Sequence, residues 1–263
     1  MNEQYIILIL GLLLPFLGTV LGSSCVFLFR NSIPPQLQKI MLGFAAGVMV
    51  AASVWSLLIP SMQMTESMGT WSFLPAALGM TIGMLFLWGI DHILPHLHIG
   101  SSHPEGMSSG LSKHAMLLMA VTIHNIPEGM AVGIVLASAL TGEVSLNIAA
   151  ALSMSIGIAI QNFPEGAVVS LPLRSEGLSR RRAFSLGVLS GIVEPIGAII
   201  VILLAHYITP LVPYLLAFAA GAMLYVVVEE LIPESAEGNH SNLGTVGFAV
   251  GFILMMSLDV ALG

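Results

Sequence analysis

The amino-acid sequence predicts an all-α protein that crosses a lipid bilayer several times. Hydrophobic residues fill 56% of the 263 positions and charged residues only 8%, whereas soluble domains carry about 25% charged residues. The mean hydropathy is +0.96. The apolar residues form runs of about 20, the length of a helix that crosses the hydrocarbon core. These observations argue against a water-soluble fold, so the lipid bilayer is the first expected partner.

Eight such runs can be recognised, and each is predicted to form one transmembrane helix. The expected spans are 5–29, 39–60, 72–95, 114–139, 146–171, 184–207, 210–232 and 243–262. The first run has no basic segment before it and no cleavage site after it, so we interpret it as a retained span rather than a signal peptide. Residues 1–263 are therefore expected to form a single transmembrane domain, with a histidine-containing loop at 96–113.

The basic residues predict the orientation of the chain. All seven lie in the connections that follow spans one, three and five: Arg30, Lys39, Lys113, Arg174, Arg180, Arg181 and Arg182. By the positive-inside rule these connections face the cytoplasm. Both termini are then expected outside, in a protein of the cell membrane.

Internal similarity predicts an inverted repeat. The hexapeptide HNIPEG at 124–129 lies in span four, and QNFPEG at 161–166 lies in span five. Consecutive spans run in opposite directions, so we expect equivalent residues of the two hexapeptides to approach each other near mid-membrane. Spans two and seven share GFAAGVM and AFAAGAM, and spans three and eight share two glycines and an aspartate at identical spacing. The sequence thus predicts a 3+2+3 inverted-repeat arrangement.

Acidic residues within the predicted spans present an energetic problem. There are seven, namely Asp91, Glu128, Glu165, Glu194, Glu229, Glu230 and Asp259, and the spans offer no lysine or arginine to pair with them. Each acid at mid-span costs roughly 2.5–3.5 kcal/mol to insert. Protons or a cation are therefore expected to enter the membrane and meet them.

The residue types in the hexapeptides favour a metal cation. His124 and Glu128 are four positions apart and share one helix face. Imidazole, amide and carboxylate groups are ligands of divalent transition metals, whereas a proton relay would not need two amide pairs. Taken singly, each amide could instead bridge helices. The candidate ligands are His124, Asn125, Glu128, Gln161, Asn162, Glu165 and Glu194.

Further acids near the ends of the spans are candidates for metal entrance or exit. Glu229, Glu230 and Glu234 lie near the expected cytoplasmic end of span seven, where they form either an exit station or a solvated acidic end. Asp91 and Asp259 occupy equivalent repeat positions, with Asp91 expected near the inner face and Asp259 near the outer face.

The loop after span three is rich in histidine. It carries His92, His96, His98 and His103, with His114 at the start of span four. Short histidine-rich tracts bind metals. A flexible polar linker remains an equally open interpretation of this loop.

These motifs resemble those of the Zrt/Irt-like (ZIP) divalent metal transporters, in particular their GufA-like prokaryotic branch. The resemblance covers nearly the whole chain and rests on the two hexapeptides and the later Glu-Pro at 194–195. It implies a binuclear metal site at mid-membrane. One site would use His124, Glu128, Gln161 and Glu165, and the other Asn125, Glu128, Asn162, Glu165 and Glu194. It also implies transport into the cytoplasm, which we expect to proceed by alternating access.

The rival hypothesis from another class is a metal-dependent intramembrane hydrolase, in which a bound metal activates water. Two similar half-sites on antiparallel spans fit transport better, and the sequence contains no HExxH motif. We therefore expect no enzymatic activity and no catalytic cofactor. Zinc is the first candidate substrate, with iron, manganese and cadmium also compatible. No nucleic-acid partner is expected, and a homodimer is left open.

Overall fold

The computed structural model describes residues 3–29, 33–97, 105–141, 147–238 and 241–262, and in these ranges the chain is helical without β-strands. The α-helices are α1 (Glu3–Ser23), α2 (Cys25–Leu28), α3 (Pro35–Ala52), α4 (Ile59–Gln63), α5 (Phe73–Ile93), α6 (Lys113–Thr141), α7 (Ile148–Ser175), α8 (Arg180–Gly191), α9 (Val193–Ile208), α10 (Val212–Val226), α11 (Ile232–Ala236) and α12 (Leu243–Leu262).

Seven helical segments of the described chain are long and apolar enough to cross a membrane. They are Ile6–Leu28, Pro35–Gln63, Phe73–Ile93, Lys113–Leu140, Arg180–Ala205, Thr209–Ala236 and Leu243–Leu262, and they coincide with predicted spans one to four and six to eight. The predicted fifth span corresponds to α7. Its 28 residues are long enough, but the polar residues of the second hexapeptide lower its hydropathy, so α7 is not among the seven.

The long helices pack as two groups. In the group we call the site group, α1 runs along α7 and α6 runs along α9, with α8 beside them. In the frame group, α3 runs along α12 and α5 along α10. Small residues allow these close approaches, as is usual between membrane helices. A Cβ added at Gly22 would lie 2.0 Å from the carbonyl oxygen of Phe163, and one at Gly47 would lie 2.1 Å from that of Phe248.

Three helix irregularities shape the interior. The second and seventh spans each contain a π-helical segment, Ser53–Leu58 and Val227–Leu231, and each segment is followed by a proline two residues later. The sixth span breaks at Ile192, between α8 and α9. Such irregularities expose backbone groups and redirect side chains. The break places Glu194 in the first turn of α9.

The basic residues of the described chain cluster at one end of the bundle. This basic end carries Lys39, Lys113, Arg174 and 180–182, while Arg30 lies outside the described residues. Lys113 forms an ion pair with Glu176 at 2.6 Å, which joins the start of α6 to the end of α7.

We predict that Gly47→Ala destabilises the protein, because the added methyl group collides with the backbone of α12. Overpacking of this kind costs about 1–3 kcal/mol. The melting temperature of the protein in detergent should fall accordingly. Gly89→Ala is the matched control, since nothing lies within 4 Å of its added Cβ. An equal melting temperature for both variants would contradict the assignment of Gly47 to a helix contact.

Candidate metal centre

The two hexapeptides face each other across α6 and α7. Gln161 Nε2 donates a hydrogen bond to Glu128 Oε1 at 3.0 Å, and both side chains are buried. The two hexapeptides, which form the two halves of the predicted site, are thus joined by a hydrogen bond between side chains that lie 33 positions apart in the sequence.

Glu194 joins this pair from α9. It accepts a hydrogen bond from Asn162 Nδ2 at 2.8 Å and another from Thr19 Oγ1 at 3.0 Å, and it is only 1% exposed. Sequence reasoning missed Thr19, because a threonine in an apolar helix gives no signal and its partner lies 175 positions away. Helices α1, α7 and α9 therefore all contribute to fixing this carboxylate.

Two glycines allow the flanking helices to reach the site. A Cβ at Gly129 would lie 2.3 Å from the backbone oxygen of Glu194, and a Cβ at Gly166 would lie 2.3 Å from that of Thr19. Each glycine directly follows a hexapeptide glutamate. The last position of each hexapeptide is thus a contact position that brings Glu194 and Thr19 up to the buried carboxylates.

The two asparagine side chains have their nitrogen atoms engaged by backbone carbonyls. Asn125 Nδ2 donates to Ser190 O at 3.0 Å, beside the break in the sixth span, and Asn162 Nδ2 donates also to Pro15 O at 3.3 Å. A side-chain amide whose nitrogen is fixed in this way has its oxygen oriented as well. The amide oxygens are thereby left as acceptors.

Four buried oxygen atoms of these residues accept no hydrogen bond from the described residues. They are Asn125 Oδ1, Glu128 Oε2, Gln161 Oε1 and Asn162 Oδ1. An unsatisfied buried acceptor costs about 1–3 kcal/mol. A cation would satisfy several such oxygens at once, and amide and carboxylate oxygens are common metal ligands. The donor set therefore fits a metal cation.

A narrow cleft lies beside this cluster, on the side of the basic end. Its polar lining consists of His124, Glu128, Glu165, Glu230 and Glu234. His124 Nδ1 lies 2.5 Å from Glu230 Oε2, a contact between the site group and the frame group that the sequence did not predict. Glu165 is half-buried and lines the same cleft as Glu128 and Glu230.

The remaining candidate acids lie apart from the cluster. Asp259 accepts hydrogen bonds from Ser56 at 2.9 Å and from Ser153 at 3.1 Å. Asp91 accepts one from Tyr225 at 3.2 Å. Glu229 is half-buried next to Glu230.

The histidines of the loop after span three have different surroundings. His92 contacts the Trp88 carbonyl of its own helix at 2.9 Å, and His114 contacts Glu176 at 3.3 Å. His96 is 0% exposed and lies 2.9 Å from Asp91, so the flexible-linker interpretation is wrong at His96. His98 and His103 lie outside the described residues.

Residues 100–259 match the family described as the ZIP zinc transporter. The chain belongs to the ZIP family. Among similar proteins, zinc transporter ZIPB of Bordetella bronchiseptica is 37% identical, with 97% of this chain and 81% of that protein covered. Zinc transporter GufA of Myxococcus xanthus is 36% identical, with 94% and 96% covered. Human zinc transporter ZIP11 is 35% identical, with 93% and 94% covered.

Membership of the ZIP family decides between the two functional classes considered from the sequence, a metal transporter and a metal-dependent intramembrane hydrolase. ZIP proteins are multi-pass membrane transporters whose substrate is a metal ion, so the transporter expectation is confirmed and the hydrolase alternative is not supported. The family resemblance that was inferred from the two hexapeptides is confirmed as well.

We predict that Thr19→Val weakens metal binding by this ZIP protein roughly 10–100-fold, as is typical when a partner of a ligand is removed. Valine keeps the shape of threonine but cannot donate to Glu194. Binding of ⁶⁵Zn to the purified protein measures the change. Thr81→Val is the matched control, because Thr81 bonds only a carbonyl of its own helix at the exposed surface. Equal affinities of the two variants would contradict the role assigned to Thr19.

Proposed function

We propose that this ZIP protein carries zinc and related divalent metal ions into the cytoplasm through a binuclear site between α6, α7 and α9. The observation that carries the proposal is the set of four buried oxygens without donors among three buried or half-buried carboxylates. All lysines and arginines of the sequence lie at or beyond the ends of the predicted spans. A divalent cation supplies the missing positive charge.

The ligands divide into two overlapping sets. The first is His124, Glu128, Gln161 and Glu165, and the second is Asn125, Glu128, Asn162, Glu165 and Glu194. Glu128 and Glu165 bridge the two ions. The hydrogen bonds from Gln161 to Glu128 and from Asn162 to Glu194 support this division, since each lies within one set.

The ligand chemistry favours zinc in the first set and a less selective ion in the second. Imidazole suits zinc, copper and iron, whereas carboxylate and amide oxygens suit harder ions such as manganese. The imidazole belongs to the first set only. The second set has three carboxylates and two amides but no imidazole, so we expect it to discriminate less between zinc and harder ions such as manganese.

The cleft gives the direction of release. It connects Glu128 and Glu165 with Glu230 and Glu234 at the basic end, which the positive-inside rule assigns to the cytoplasm. Glu230 holds His124 in this conformation. We infer that Glu230 takes this ligand from the departing metal, with Glu229 and Glu234 as further exit residues.

The opposite end is closed in the same conformation. Asp259 of the frame group bonds Ser153 of the site group, and a Cβ at Gly157 would lie 2.1 Å from Met255 Sδ. This closure supports Asp259 as the residue that ions meet first when the outer side opens. Asp91, its counterpart in the repeat, lies at the inner side.

Two further features support transport by alternating access within an eight-span, 3+2+3 fold, in which α7 is the fifth span and both termini are outside. The repeat exchanges α3 with α10 and α5 with α12, and the α3–α12 and α5–α10 contacts map onto each other. The π-helical segments start six residues after Gly47 and Gly221, equivalent positions of the repeat. Inverted repeats supply two related packings. We infer that the site group slides against the frame group as an elevator.

The association of two copies of the chain into a homodimer remains a prediction.

Radiometal uptake into proteoliposomes tests the proposal. Wild-type protein should accumulate ⁶⁵Zn, and Glu128→Ala should abolish uptake, because both ions lose a bridging ligand. Asn162→Ala should mainly change the ratio of zinc to manganese uptake. Glu66→Ala serves as the control, since Glu66 is an exposed acid outside the membrane helices. Small and equal effects of Glu128→Ala and Asn162→Ala would contradict the binuclear assignment.

We predict that cross-linking the two groups at the closed end stops uptake. Ser56 and Ser153 both bond Oδ1 of Asp259, so cysteines at these positions lie within reach of a short thiol cross-linker. Transport should fall to background in a Cys25→Ser background and return after the cross-link is cleaved. The control pair, Ser61→Cys with Pro213→Cys, joins two segments of the frame group and should leave uptake unchanged. Full transport in the protein cross-linked at 56 and 153 would exclude the sliding motion.

A further inference from the structure

Four arginines gather at the basic end, around the connection between the fifth and sixth spans. Arg174 lies in the last turn of α7, and Arg180, Arg181 and Arg182 begin α8. The side chains of Arg181 and Arg182 are exposed. None of the four lines the cleft beside the candidate metal centre. We propose that the arginines at the start of α8 bind the headgroup of an anionic phospholipid from the cytoplasmic leaflet of the membrane.

The arginines carry positive charge that no acidic side chain neutralises. Among the described residues none of the four forms an ion pair, and the hydrogen bonds of Arg174 and Arg180 go to backbone carbonyls, at 2.9 and 3.5 Å. Glu176 is the one acid between positions 174 and 182, and it already pairs with Lys113 at 2.6 Å. Excess basic charge next to a membrane span attracts the anionic lipids of the cytoplasmic leaflet.

The first and sixth spans meet at these arginines. Arg180 donates to the carbonyl oxygen of Phe27, near the end of α2, and the rings of Phe27 and Phe184 pack with their centroids 5.3 Å apart. The side chains of Phe27, Leu28 and Phe29 are nevertheless exposed. The basic side chains therefore lie beside apolar surface that faces the bilayer.

A stripe of exposed apolar residues continues from Arg182 along the sixth span. These residues recur at the spacing of one helix face, and they are Leu189, Ile196, Ile200 and Leu203. An arginine at the head of an apolar stripe matches a phospholipid, whose phosphate lies above its acyl chains. A water-soluble anion would use the arginine alone, so the stripe favours a lipid as the occupant.

The basic charge is divided unequally between the two helix groups. Of the six basic residues that the structure describes, Lys113 and the four arginines belong to the site group, and Lys39 belongs to the frame group. A lipid that binds at the start of α8 therefore contacts the group that slides in the proposed transport cycle.

The effect of such a lipid on conformation rests on the proposed function. In the conformation described, the arginines lie at the cytoplasmic end of the bundle, where lipid headgroups are. A slide of the site group toward the other side would draw them into the hydrocarbon core, where charged side chains are costly. A bound anionic lipid therefore holds the site group in its present place, with the cleft on the cytoplasmic side.

Thermal unfolding of the purified protein in detergent tests the binding, since a ligand of the folded state raises the melting temperature. Phosphatidylglycerol should raise it by several degrees, and phosphatidylcholine should not. Arg182→Gln should weaken the apparent affinity for phosphatidylglycerol roughly fivefold, the effect of one basic residue at an anionic lipid surface. Lys39→Gln, which removes a basic residue of the frame group at the same end, should leave it nearly unchanged. Equal losses in the two variants would overturn the site.

A water-soluble headgroup separates a lipid site from a site for a free anion. Glycerol phosphate at the concentrations used for phosphatidylglycerol should leave the melting temperature unchanged, because it cannot cover the apolar stripe. Stabilisation by glycerol phosphate equal to that by phosphatidylglycerol would overturn the assignment to a lipid.

Cross-linking at the closed end tests the effect on conformation. The Ser56→Cys, Ser153→Cys protein, in a Cys25→Ser background, is placed in phosphatidylcholine vesicles with or without phosphatidylglycerol and treated with an uncharged thiol cross-linker. Phosphatidylglycerol should raise the initial cross-linking rate several-fold, and adding Arg182→Gln should remove most of this increase. Equal rates in the two kinds of vesicle would overturn the conformational effect while leaving lipid binding in place. Full transport by the cross-linked protein would instead count against the proposed sliding motion.

Discussion

The structure depends on one electrostatic constraint, namely that buried carboxylates must meet positive charge inside the membrane, although all lysines and arginines lie at or beyond the ends of the predicted spans. Glu128 and Glu194 are buried and Glu165 half-buried, and the neutral neighbours add oxygen atoms rather than donors. In a medium of low dielectric constant, such an arrangement is costly without a cation. Close packing of four helices around an acidic cluster is therefore an arrangement suited to metal ions.

Helix packing and helix irregularity act together to build this cluster. Glycines next to the hexapeptide glutamates allow α1 and α9 to approach α6 and α7 at backbone distance. Asn125 donates to the Ser190 carbonyl, which lies beside the break at Ile192. The π-helical segment of the seventh span places Glu230 beside His124. Each irregularity leaves a backbone or side-chain group that another helix satisfies, as a membrane interior requires.

Much of this arrangement could be predicted from the sequence, because apolar runs, repeated hexapeptides and intramembrane acids are local signals. Predicted spans one to four and six to eight correspond to helices that are long and apolar enough to cross a membrane, and a further helix, α7, lies where the fifth span was predicted. The seven candidate ligands lie on α6, α7 and α9, and hydrogen bonds join two pairs of them, Gln161 with Glu128 and Asn162 with Glu194. Thr19, the contact of His124 with Glu230, and the burial of His96 were not predictable, since each depends on partners distant in the sequence or on a loop conformation.

The sequence by itself determined the membrane setting, and it predicted the helix directions and the ligand types, because these follow from composition, charge and spacing within single helices. Only the tertiary structure decided which oxygens remain without donors, where the cleft lies, and which residues of the histidine-containing loop come together. These properties depend on distances between helices that no local pattern encodes. The glycine contacts and helix breaks set these distances. They let neighbouring helices approach by a few ångströms more, and this approach determines which side chains meet.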